Sequence, residues 1–140
     1  MTRGEWRAFL MEGTRTAKVA VVRKDGSPAV APVWFVLEDD DTIVFTSPRA
    51  SVKGHAIRRD PRIALCVDDE TPPYAFVRIA GVATWEDPSP RLLEYARRIG
   101  ARYMGAERAE EYGQRNAVEG EMVVRVRPER VTTNADVAGY

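Results

Sequence analysis

Thr16-Ala-Lys-Val-Ala-Val-Val-Arg-Lys-Asp-Gly-Ser-Pro-Ala-Val-Ala-Pro-Val-Trp-Phe-Val-Leu-Glu38 is the stretch that decides the fold. Its first part, Thr16 to Arg23, is dominated by alanine and valine and reads as a strand. Lys24-Asp25-Gly26-Ser27 then favours the positive φ values of a tight turn, so the chain doubles back. Pro28 to Glu38 is the return strand. Pro32 inside it has no N–H for a ladder, which argues for an edge or a bulge. A bulge would leave neighbouring backbone groups free to bond something else.

Short strands and turns continue outward from this hairpin. Upstream, Trp6, Phe9 and Leu10 fall at helical spacing within residues 3–12, with Gly13 as the stop. Downstream, Asp39-Asp40-Asp41 is a second turn and Thr42 to Thr46 a third strand. A helix follows through about Arg59, ended by Asp60-Pro61. Arg62 to Asp68 is a fourth strand, and Tyr74 to Glu86 a long fifth one with Gly81 as a bend or bulge. Ser89 as N-cap and Pro90 in the first turn open a helix whose apolar face includes Leu92, Tyr95 and Ile99. Gly100 to Gly105 breaks that helix, and Glu107 to Asn116 forms another. Glu121 to Arg127 is the last strand, with Val131 to Thr133 continuing it beyond Pro128. The expectation is a mainly β (α+β) single domain over residues 1–140, a six-stranded antiparallel barrel with flanking helices.

Composition narrows the function classes. Apolar residues make up 44% and charged residues 30%, an ordinary globular balance. Basic and acidic residues cancel at 21 each, so no global field draws nucleic acid, and no row of aromatics alternates with Lys or Arg. One cysteine, Cys66, and one histidine, His55, argue against a disulfide framework and a Cys/His metal site. The charged N-terminal run is unlike a signal peptide and no apolar stretch spans a bilayer, so the chain reads as cytoplasmic with no membrane partner.

The chemically richest stretch is Thr46-Ser-Pro-Arg-Ala-Ser-Val-Lys-Gly-His-Ala-Ile-Arg-Arg-Asp60. A strand ends in hydroxyl residues, turns, and opens a basic helix. Thr46, Ser47 and Ser51 offer hydroxyls, Lys53 an ammonium, and the helix start free N–H groups, a set that suits a phosphate or another anion. Lys53 on its own also reads as an ordinary solvated helix residue, and His55 with Arg58 and Arg59 as an exposed helix end. No Ser-His-Asp, Cys-His or paired-carboxylate constellation appears, so no catalytic residue is assigned.

Taken together, five pieces in this order resemble the pyridoxamine-phosphate-oxidase-like superfamily. They are Asp-Gly-Ser-Pro at 25–28, Ala-Pro-Val-Trp-Phe at 31–35, Thr-Ser-x3-Ser-x-Lys at 46–53, Arg-Arg-Asp-Pro-Arg at 58–62 and Pro-Pro-Tyr-Ala-Phe-Val at 72–77. Within the superfamily the chain is most similar to the small deazaflavin (coenzyme F420) dependent oxidoreductases, over roughly Thr14 to Val131. The resemblance implies a split β-barrel of FMN-binding type, working as a homodimer with cofactor sites across the interface. It implies that Pro32, Val33 and Trp34 flank the flavin-like ring, and that Thr46, Ser47, Ser51, Val52 and Lys53 hold the phosphate-bearing tail. Tyr74 and Ala75 would reach the cofactor from the partner subunit. Relatives often carry arginine where Ser51 stands, and Arg49 is the candidate to replace it. The Arg-rich C-terminal motif that grips pyridoxamine phosphate in true oxidases is not recognisable.

The function implied is hydride transfer between reduced F420 and a conjugated small molecule such as a quinone, an enone or a tetrapyrrole. The alternatives are an FMN-dependent reductase or oxidase on the same barrel, and a non-catalytic carrier of F420 or a flavin. Trp34, Tyr74 and Tyr103 are candidates for the substrate pocket; for Trp34 core packing, and for the two tyrosines interface packing, is the competing reading.

Overall fold

The computed structural model describes residues 1–139. A capping box between Thr2 and Glu5 starts helix α1 (Arg3–Met11). The hairpin follows as β1 (Ala17–Val22) and β2 (Pro28–Val33), paired from Ala17↔Val33 to Val22↔Pro28. Next come β3 (Val36–Leu37), β4 (Ile43–Pro48), α2 (Val52–Arg59), β5 (Arg62–Asp68) and β6 (Phe76–Glu86). Helix α3 (Leu92–Met104), a 3-10 turn (Ala106–Arg108), α4 (Ala109–Asn116) and β7 (Glu121–Asn134) complete the chain.

All pairings are antiparallel, in the order β2-β1-β5-β6-β7-β4-β3. The two outermost strands, β2 and β3, are consecutive in the chain and separated only by Trp34 and Phe35. Two residues span well under 10 Å, so the sheet must curl until its edges nearly meet. That makes a half-barrel closed by one bent strand. Its interior is filled by alternate residues of the staves, including Val19, Phe45, Leu65, Ile79 and Val124, with Trp6 and Leu10 of α1 and Ala56 and Ile57 of α2.

The structure has seven strands where six were expected, because the return strand Pro28–Glu38 is cut in two. Pro32 sits on the edge strand β2, opposite Lys18, where its missing N–H disrupts no second ladder. The break itself is at Phe35. Its N–H donates to the Tyr103 hydroxyl (3.2 Å), and its carbonyl accepts from the Arg102 guanidinium (2.8 Å). Both backbone groups are therefore satisfied by side chains of α3 instead of a neighbouring strand.

Helix α3 runs on through Gly100 to Met104, against the expected break. Gly100 is a close-approach position: a Cβ there would lie 2.8 Å from the Tyr112 Cβ on α4. Gly113 on α4 plays the same part toward Arg97. Ser89 is not the N-cap either; Arg91 takes that position, the helix begins at Leu92, and the Ser89 hydroxyl accepts from the Arg91 N–H (3.2 Å). Helix α3 covers the outer face of the β3-β4-β7 edge, burying Val36, Val44 and Val123 against Tyr95 and Ile99. Strand β4 is thus buried on both faces, which is why its sequence reads as an unbroken apolar run. Gly81 does mark a register shift against β7, and β7 continues through Pro128 as one strand. No helix among the described residues is long and apolar enough to cross a membrane.

Arg102 also donates to Leu10 O (2.7 Å) and Gly13 O (3.1 Å), and its guanidinium lies 4.5 Å from the Phe35 ring centre. Removing it strands three carbonyls: Leu10 in α1, Gly13 just after it and Phe35 at the strand break. Arg102→Ala is expected to lower unfolding free energy by about 2–4 kcal/mol, read by urea denaturation. Tyr103→Phe keeps the ring but loses both hydroxyl bonds and should cost about 1–2 kcal/mol.

Candidate functional site

The corner between β4 and α2 is built by three local devices. The Ser51 hydroxyl accepts from the Gly54 N–H (3.0 Å) as the N-cap of α2 and donates to Pro48 O (2.7 Å). Gly54 packs so closely on the turn that a Cβ would run into Pro48 O, so the helix start lies directly on the preceding backbone. Arg58 reaches back to Gly54 O and Arg49 O (3.3 and 2.9 Å), tying the first turn of the helix to the loop before it. With Gly54 N–H capped, the N–H groups of Val52 and Lys53 are the helix-start donors left over for an anion.

A cavity of about 280 Å³ opens beside this corner. It is lined by Pro32, Val33 and Trp34 from the edge strand, Thr46 from β4, Lys53 from α2, Ile99 and Asn116 from the two helices, and Glu121 from β7. A second cavity of about 270 Å³ continues along the same edge strand past Ala29 and Ala31 toward Ser51 and Val52. Lys53 lines both. Five of the eight residues expected around the ring and tail from one subunit, Pro32, Val33, Trp34, Thr46 and Lys53, therefore meet in one cavity. Ser51 and Val52 line the adjoining one, and Ser47 is fully buried behind them, its hydroxyl 3.2 Å from that of Ser51.

The charges at the corner are fewer than the sequence promised. Arg49 does not replace the absent arginine: it is held in a two-point pair with Asp87 (2.7 and 3.2 Å). Arg58 is bonded to the loop and to His55 (3.2 Å), and Arg59 to Val22 O (2.6 Å). Lys53 is left as the cation lining the cavity. Facing it is Glu121, which sequence reasoning missed. Burial pushes the Glu121 carboxyl upward, while the Lys53 charge and a hydrogen bond from the Thr46 hydroxyl pull it back. Only the pairing of β4 with β7, Pro48↔Glu121 and Thr46↔Val123, brings that carboxyl to the corner.

The remaining candidates lie elsewhere. Tyr74 is exposed, at φ 63°, and with Cys66, Asp68, Phe76 and Val137 it lines a separate cavity of about 490 Å³. It precedes β6 rather than opening it, and Ala75 accepts through its carbonyl from the Asp69 N–H. Neither residue lines the Lys53 cavity of its own chain. Tyr103 stacks on Trp34, centroids 5.1 Å apart and planes 6° from parallel, with Tyr112 tilted at 6.0 Å. Its hydroxyl donates to Arg15 O and accepts from Phe35 N–H, so it acts as a strut behind Trp34. Burial, the larger influence, raises the Cys66 thiol pKa, in keeping with an inert thiol.

The sequence family described as pyridoxamine 5'-phosphate oxidase matches residues 2–135. The chain belongs to this family. Among solved structures, this pyridoxamine-phosphate-oxidase-type chain superposes on a conserved hypothetical protein from Mycobacterium tuberculosis with a TM-score of 0.80 and 26% identity, covering 95% of this chain and 84% of that one. An F420 reductase gives a TM-score of 0.69 at 24% identity, covering 89% and 94%. A heme storage protein from Vibrio cholerae gives 0.75 at 17%, covering 99% and 98%. The last two likenesses establish the shared fold. No curated protein sequence matches the chain significantly.

For this family member the geometry separates holding the corner from holding a ligand. Ser51→Ala removes an N-cap and should cost about 1 kcal/mol of stability, measured by thermal or urea unfolding. Gly54→Ala drives a methyl into backbone oxygen and should cost more, about 2–4 kcal/mol, in the same assay.

Proposed function

We propose that this chain is an F420-dependent oxidoreductase, moving a hydride between reduced deazaflavin and a conjugated small-molecule acceptor such as a quinone, an enone or a tetrapyrrole. The observation that carries the reading is the single cavity in which Pro32, Val33 and Trp34 meet Thr46 and Lys53 beside a helix start with two spare N–H donors. The residues fit a tricyclic ring bearing a phosphate tail: a flat apolar wall on one side, an anion corner on the other. The reduced deazaflavin supplies the hydride when bound, so the protein needs no acid–base triad of its own. Its residues orient and dry the ring. Trp34 is braced from behind by Tyr103 and Tyr112, which fixes the wall against which the ring lies. Lys53 and the Val52 and Lys53 N–H groups take the tail phosphate.

The working unit in this proposal is a homodimer in the cytoplasm. The outer face of β1-β5-β6 carries Ala20, Ala64, Cys66, Ala80 and Val82, all half-buried or exposed in the single chain. Covering that face with a second copy would bury small apolar side chains, and the Tyr74–Ala75 segment is the part expected to reach the partner's ring. Light scattering should give twice the 15.7 kDa chain mass; a monomer at micromolar concentration would remove the two-subunit site.

FMN is the second reading, supported by the family's own description as an oxidase of pyridoxamine 5'-phosphate, and a carrier role is the third, since a heme storage protein shares the fold. Titrating the protein with F420 and with FMN by ring fluorescence distinguishes them, followed by hydride transfer to a panel of quinones and enones. F420 is expected to bind and turn over. Binding without any acceleration would favour the carrier, and no binding of either would sink the family of readings. Lys53→Ala should weaken tail binding about tenfold or more; an unchanged dissociation constant would remove Lys53 from the site.

A further inference from the structure

Strand β2 is the free edge along which both cavities run: Ala29, Val30 and Ala31 line the outer one, Pro32 and Val33 the inner one. Which of its backbone groups face that edge follows from the hairpin. The Arg23 N–H donates to Ser27 O (2.8 Å), and the register runs on from Val22↔Pro28 to Ala17↔Val33. Hydrogen-bonded and non-bonded pairs alternate in an antiparallel ladder, so Ala29, Ala31 and Val33 turn their N–H and C=O groups to β1. Pro28, Val30 and Pro32 turn theirs away from it, to the open side. Two of these residues are prolines, so the open row holds the carbonyls of all three but only one N–H, that of Val30. Between Val30 O and Pro32 O, where an ordinary edge strand carries a donor, there is none.

Resting on the cofactor reading above, we propose that Val30 O and Pro32 O form an acceptor rail for the polyol chain that joins the cofactor's ring to its phosphate. Val30 lines the outer cavity and Pro32 the inner one, so the two carbonyls straddle the junction between the Trp34 wall and the corner at Ser51 and Lys53. Carbonyls two residues apart on one edge repeat at about 7 Å. A ribityl chain, which links ring to phosphate in both F420 and FMN, is comparable in length. A peptide strand laid on this edge needs a donor opposite each of its own carbonyls, and the missing Pro32 N–H leaves one of them unmet. Hydroxyls match the rail better, because each donates to a carbonyl and leaves its lone pairs to water. The corner's own hydroxyls do not compete for the chain: Ser51 is committed to the Gly54 N–H and Pro48 O, and Ser47 is buried. The two prolines thus turn an edge that could recruit a strand into one that accepts from a polyhydroxylated chain.

The test uses ligands with no phosphate, so that charge is held constant and only the chain differs. Dissociation constants are measured for the F420 ring bearing only its ribityl chain and for the same ring bearing an n-pentyl chain, with riboflavin and its n-pentyl counterpart alongside. The ribityl form of the ring that binds should hold about tenfold more tightly than the pentyl form, the worth of two carbonyl hydrogen bonds. Carbonyl carbon resonances locate the contact: those of Val30 and Pro32, read through the Ala31 and Val33 N–H groups, should move downfield with the ribityl ligand and not with the pentyl one. Equal affinities, or shifts confined to Thr46 and Asn116 of the same cavity, would overturn the rail while leaving the ring site standing. Failure of every one of these ligands to bind would overturn the rail and the cofactor reading together.

Discussion

Everything in this fold depends on how one pair of backbone groups is satisfied. At Phe35 the chain leaves one edge of the sheet and joins the other, and a strand cannot do that while keeping its ladder. Phe35 is fully buried, so its N–H and carbonyl cannot turn to water. They are met instead by the Tyr103 hydroxyl and the Arg102 guanidinium. Among the described residues Arg102 has no carboxylate partner; its charge is spread over the carbonyls of Leu10, Gly13 and Phe35 and over two aromatic faces. Burial lowers its pKa, a sign of how strongly the site is desolvated. One turn of α3 thereby holds together the N-terminal helix, the barrel seam and the helical layer.

The same seam positions the site. Because the strand breaks after Trp34, that ring turns out of the barrel and stacks on Tyr103 rather than filling the core. Tyr103 cannot move without releasing Phe35, so Trp34 is indirectly fixed by the barrel closure. The edge strand just before it, with no neighbour on its outer side, is what lets a groove run along Pro32 and Val33. On the far wall, the β4-α2 corner is made rigid by Ser51, Gly54 and Arg58, none of which is needed to touch a ligand. Closure of the barrel and construction of the groove are two consequences of one constraint.

Most of the scaffold was legible from local pattern. The Asp25-Gly26 hairpin, strand β5 to the residue, the end of α2 at Asp60 and the shift at Gly81 all follow from turn chemistry and alternation. What failed was where a long-range partner overrode a local signal. Gly100 looks like a helix breaker on its own, but Tyr112 on α4 needs its missing side chain. The strand through Trp34-Phe35 looks continuous until α3 supplies Arg102 and Tyr103, some 67 residues away in the chain. The site divides in the same way. Lys53 and the helix start were visible in one short segment, while Glu121 came into the groove only through the β4-β7 register, which no spacing rule reveals.

That late arrival changes what the corner is. Read from sequence, Thr46, Ser47, Ser51 and Lys53 formed a cluster of phosphate ligands lacking one arginine. In three dimensions two of the hydroxyls are already engaged: Ser51 caps the helix, and Ser47 lies buried beside it; Thr46 lines the cavity together with Glu121. Only an ammonium and two N–H groups remain, opposed by a carboxylate. An arginine at position 51 would lose the cap and add a charge at once, so the neutral residue there and the acid at 121 are two sides of a weaker electrostatic setting. The groove therefore pairs an apolar wall at Pro32, Val33 and Trp34 with a corner whose ammonium is faced by a carboxyl.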